Sequence, residues 1–227
     1  MNVSISPTYF RLSGIAIVIG GLMGAAGQLI HAEDTPASVA DIPSFVSFAV
    51  NTHVLLAWAS TLLLLGLPAV YLRQAAMLRW WGWLGFPLLF IALMFEIFHG
   101  PVQILAYPII FHDVTTSEQL QAVSDQINNL AIDQYPLQLA VLIPIVPFLF
   151  LGLILTAAGI LQTRMLTKGP GIFLCVVIGI TVLSQFIHIH LLEVSFSYIH
   201  LAFVYIGAAL AFGRSEASSS AGHSHIA

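Results

Sequence analysis

Charge is what this chain has least of. Asp, Glu, Lys and Arg together make up 7% of its 227 residues. Ordinary soluble domains carry roughly 25%. So few charges cannot clothe a water-soluble surface of this size, which sets aside the soluble enzyme and the disordered chain. The six Lys and Arg form no basic run, so no nucleic-acid partner is expected. The single cysteine, Cys175, rules out an internal disulfide. No phosphate loop, nucleophile elbow or HExxH pair is present, so no motif names a reaction and an enzymatic role stays open. What the chain has instead is 59% hydrophobic residues and a mean hydropathy of +0.96. That composition predicts an all-α polytopic membrane protein lodged in a lipid bilayer.

A bilayer-crossing helix needs about 20 mostly apolar residues. The stretches at about 10–31, 45–72, 80–104, 136–162, 170–192 and 196–213 meet this, which predicts a six-helix transmembrane domain over 1–213. The first is read as a retained span, because its apolar run is long and no convincing small-x-small cleavage site precedes Glu33. The basic residues Arg11, Arg73, Arg79, Arg164, Lys168 and Arg214 then all fall on one side. By the excess of Lys and Arg in cytoplasmic loops, that side is the cytoplasm. Both termini are therefore expected there, in a multi-pass protein of the cell membrane, with 214–227 as a flexible cytoplasmic tail. Of the ten acids, only Glu96 and Glu216 do not fall on the outer side. Trp80, Trp81 and Trp83 read as an aromatic anchor at the cytoplasmic edge.

Between spans 3 and 4, Thr115 and Glu118 make a capping-box pattern, followed by Leu120, Val123, Ile127 and Leu130 at helical spacing. A short amphipathic helix at about 115–131 on the outer surface is expected, either capping a cavity or resting in the headgroups. Gly100-Pro101 and Tyr107-Pro108 point to a bend beyond span 3, as a tilted extension or a re-entrant piece, and Pro144 and Pro147 to a kink in span 4. Ala16, Gly20 and Gly24 form a small-residue face for close packing, within the chain or in a homo-oligomer through Gly20 and Gly24. Leu65-Gly66-Leu67 with His99 and Leu151-Gly152-Leu153 with His188 suggest a duplicated hairpin, with chance as the competing explanation.

The histidines carry the functional signal. At 1.5 Å per helical residue, His53 lies roughly 10 Å below the outer boundary. Glu96 and His200 reach a similar level, with His99, His188 and His190 just above. The inner half has none. An ionisable group inside a bilayer costs at least about 2.5 kcal/mol by insertion scales, so Glu96 is expected to face the bundle and to be protonated, paired or metal-bound. Glu96-x-x-His99 puts both side chains on one helix face, a spacing that carboxylate-bridged metal bundles use. Taken singly, each histidine is explained as well by a hydrogen bond to headgroup, water or carbonyl. Taken together with Glu96, the layer points to a bound ion, a haem or a proton path.

His53, Glu96, His99, His188 and His200 are thus the candidate metal ligands, and His53, His99, His188 and His200 the candidate ligands of a haem b. His31, His112 and His190 are set aside as bystanders, and His223 and His225 as solvated tail residues. Three readings follow: a metal- or haem-binding protein for redox chemistry, metal handling or sensing; a small proton- or cation-coupled transporter; and a structural or accessory subunit.

Overall fold

The computed structural model describes residues 5–31, 35–129, 139–163, 165–184, 186–187 and 194–213. The helices are α1 (Pro7–Leu29), α2 (Ile42–Gln74), α3 (Trp80–Pro101), α4 (Tyr107–Ile110), α5 (Ser117–Asn128), α6 (Leu139–Thr163), α7 (Lys168–Ser184) and α8 (Ser195–Phe212). Among the described residues, five continuous helical stretches are long and apolar enough to cross a membrane. They correspond to the predicted spans 1, 2, 3, 4 and 6. Helix α7 is shorter, at 17 residues. The expected tail at 214–227 lies outside the described residues, as do His188, His190 and Glu193.

The long helices pack in a closed circuit, α1–α2–α3–α6–α7–α8 and back to α1. The starts of α1, α3 and α7 and the ends of α2, α6 and α8 gather at one end of the bundle. There the Arg73 guanidinium lies 5.3 Å from the Phe10 ring and that of Arg11 lies 6.0 Å from the Phe212 ring. Gln74 and Thr163 close the same end with a 3.0 Å hydrogen bond. Arg11, Arg73, Arg79 and Lys168 are therefore at one pole, as the sequence requires. Above them sits the main core, where Leu63, Leu89, Leu153, Ile160, Leu174 and Ile206 are fully buried.

Small residues bring α1 against its neighbours. An added Cβ at Gly14 would meet the Gly207 carbonyl at 2.6 Å, and one at Gly20 the Ala59 carbonyl at 2.8 Å. In lipid, where apolar burial drives little association, such close approach is what holds helices together. Gly20 and Gly24 are used inside the chain, against α2 and α8. Gly66 packs on α1 and Gly152 on α3, so the two Leu-Gly-Leu segments serve contacts with different partners.

Beyond Pro101 the chain does not re-enter. It continues upward as helix, through a π-helical segment, Val102–Ala106, into α4. Pro101 removes one backbone donor, and the wider turn accommodates the broken ladder. Helix α6 runs on through Pro144 and Pro147. The extension has its own small core: Tyr107 and Phe111 pack on Ile42, Phe45 and Ala49 of α2 and on Leu120, Val123 and Ile127 of α5. The apolar face of α5 is thus covered by protein. Its cap lies one residue later than the sequence pattern suggests. Thr116 accepts from the Gln119 N–H at 3.3 Å, and the Gln119 side chain accepts from the Thr116 N–H at 3.1 Å.

Candidate functional site

Above the main core the circuit opens into a cavity of about 330 Å³. It is lined by Gln28 of α1 and His31 just beyond its end, by His53, Leu56 and Ala57 from α2, Leu93, Glu96, His99 and Gly100 from α3, Ile145, Val146 and Leu149 from α6, and Phe196, Ile199, His200 and Phe203 from α8. Leu93, Ile199 and Phe203 belong also to the main core and close the cavity on its inner side. Helix α5 contributes no wall.

His53, Glu96, His99 and His200 therefore share one cavity, as the depth arithmetic anticipates. His31, set aside on the sequence, belongs with them. Its Nε2 lies 3.2 Å from Nε2 of His53, with the rings edge to face. His112 stands apart, exposed beside Asp113 at 3.1 Å.

The proton positions of the two buried histidines follow from their partners. His53 and His200 are each 6% exposed. The His53 Nδ1–H donates to the Ala49 carbonyl at 2.8 Å, and the His200 Nδ1–H to the Phe196 carbonyl at 3.0 Å. A carbonyl can only accept, so Nδ1 carries the hydrogen in both rings and Nε2 is left with a lone pair when the ring is neutral. Between His31 and His53 the donor is consequently His31. Orientation of an imidazole by a second hydrogen bond at its far nitrogen is also what fixes metal-binding histidines.

His200 owes its place to a missing side chain. A Cβ on Gly24 would fall 1.9 Å from Cδ2 and 2.4 Å from Nε2 of His200. The ring packs directly against α1 at Gly24. Sequence reasoning took Gly24 for helix packing alone. The signal that locates its role is the run Gly24, Gln28, His31, which falls on one helix face.

Glu96 lines the cavity half-buried. Among the described residues its carboxylate has no hydrogen-bond or ion-pair partner. Nor, among the described residues, do three His, Cys, Asp or Glu side chains converge as a closed metal centre requires. The arrangement is the His31–His53 pair, with two further imidazoles, His99 and His200, and the Glu96 carboxylate on the remaining walls.

No protein-family model, curated protein or solved structure matches this chain. Function is therefore argued from the cavity itself.

Geometry can be compared with what each group would need. Two nitrogens on one tetrahedral ion, each at 2.0–2.1 Å, lie about 3.3 Å apart. The His31–His53 separation of 3.2 Å matches that spacing. A haem needs two axial imidazoles from different helices and apolar walls. His53 and His200 come from α2 and α8, and most of the lining side chains are hydrocarbon. The His31–His53 pair has the spacing of two ligands of the first kind, without a third described His, Cys, Asp or Glu beside it, and the walls match the second in composition alone.

Proposed function

We propose that this is a six-span protein of the cell membrane, with both termini in the cytoplasm, whose outer-half cavity binds a metal for metal handling or sensing. Supporting the orientation is the gathering of Arg11, Arg73, Arg79 and Lys168 at the pole opposite the cavity. Supporting the sixth span is the apolar helix Lys168–Ser184, beyond which the sequence continues to Leu192 with Phe186, Ile187, Ile189, Leu191 and Leu192 around Gln185, His188 and His190. The observation that carries the metal reading is that His31, His53, Glu96, His99 and His200 all line one cavity. Imidazole nitrogen with carboxylate oxygen is a donor set for zinc, copper, iron or nickel. His188 remains a proposed ligand on sequence grounds.

The apolar walls favour a second reading, a haem b between His53 and His200 serving redox chemistry. A transporter is less favoured, since no His, Asp or Glu falls in the inner half of the spans to continue a path from the cavity. Protein purified from its native membrane decides between the readings by metal content and absorption spectrum. One metal per chain without a Soret band supports the ion, and a Soret band supports the haem. Neither metal nor Soret band would overturn both and favour a structural subunit.

A further inference from the structure

The histidine pair at the cavity mouth specifies where an ion binds first and of what class. We propose that His31 and His53 hold a borderline first-row divalent cation, zinc or copper(II), between their Nε2 atoms, which ties the outer end of α1 to α2. This inference rests on the metal-ion reading of the cavity. Four observations lead to it. The nitrogens are 3.2 Å apart, at the spacing of two neighbouring ligands. The His53 ring is fixed by its bond to the Ala49 carbonyl with Nε2 as acceptor. The His31 ring is exposed, so an ion from the outer aqueous phase meets it first. Both rings line the same cavity as Glu96.

The ion would replace the hydrogen bond between the rings and stand to one side of the Nε2–Nε2 line, since 3.2 Å is too short for two in-line bonds of 2.0–2.1 Å. On binding, the hydrogen on His31 Nε2 goes to water while its Nδ1 takes one up, so a neutral pair accepts the ion without net proton release. Water completes the coordination, as it does for ions with an open site. Imidazole nitrogens with no thiolate favour zinc and copper(II) over calcium or magnesium, which prefer oxygen.

The test uses the full chain in nanodiscs, with His223→Ala and His225→Ala to remove the tail's own His-x-His pair, titrated with zinc. One zinc per chain is expected. His31→Ala and His53→Ala should each weaken binding at least tenfold, and His112→Ala should leave it unchanged. His31→Ala also removes the donor to the buried His53 Nε2, so thermal unfolding of the metal-free variant is measured beside binding, and a variant that still unfolds cooperatively above the titration temperature shows that lost binding is not unfolding. Zinc binding that survives both His31→Ala and His53→Ala but is lost in Glu96→Gln or His200→Ala would overturn the pair and leave the cavity reading intact. Absence of zinc and copper binding to the parent protein would overturn the pair and the metal-ion reading together.

Discussion

At Gly24 a methyl group would occupy the space of the His200 ring. Gly24→Ala must therefore push the imidazole off α1 or spread α1 from α8. Such overpacking costs about 1–3 kcal/mol. In a His200→Ala background the obstruction is gone and the same substitution should cost little, so the two changes should be strongly non-additive. Thermal unfolding of the four proteins of this cycle measures it. Additive losses would mean that the ring and the glycine do not share this space. The pair also shows what a sequence conceals at the residue scale. Depth along a helix follows from counting, and it placed His53, Glu96 and His200 at one level. Rotation about a helix axis relative to its neighbours does not follow from counting. For that reason the sequence shows His31, the last residue of its predicted span, only as a boundary residue, and Gly24 only as packing.

Among the elements, α5 and the α2–α6 contact make separable predictions. Both Thr115-x-x-Glu118 and Thr116-x-x-Gln119 satisfy the capping pattern, and only the point at which the chain turns into the helix decides between them. Thr116→Ala should cost the helix about 1 kcal/mol and speed hydrogen exchange over 117–128, whereas Thr115→Ala should leave the exchange nearly unchanged. Equal effects would contradict the observed cap. At the inner pole, the Tyr71 hydroxyl and Thr156 Oγ1 lie 2.6 Å apart, and Thr156 also donates to the Gly152 carbonyl at 2.7 Å. Thr156→Val strands the buried Tyr71 hydroxyl and should cost about 1–3 kcal/mol. Tyr71→Phe leaves Thr156 still bonded to Gly152 and should cost only about 0.5–1.5 kcal/mol. The reverse order in thermal unfolding would contradict this arrangement. No sequence pattern announced this tie, because a tyrosine and a threonine 85 residues apart carry no local periodicity.

For the whole molecule, composition and apolar run length were enough to give an all-α bundle, because lipid admits few other solutions. They could not give the order of packing around the circuit, which depends on glycine contacts such as Gly14 with Gly207 and Gly20 with Ala59. Orientation is tested on intact cells in a Cys175→Ser background. A cysteine at the exposed position Ala76 should resist an impermeant thiol reagent, and one at Gln126 on α5 should react. The opposite pattern would invert the protein and place the cavity on the cytoplasmic side. The most direct measurement of the central claim is X-ray absorption at the metal edge of the zinc-loaded protein. A first shell of nitrogen and oxygen at about 2.0–2.1 Å, with imidazole scattering that diminishes in His31→Ala, is the result expected. A shell of oxygen alone, or imidazole scattering unchanged by removal of His31 and of His53, would contradict a histidine-held metal at the mouth of this cavity.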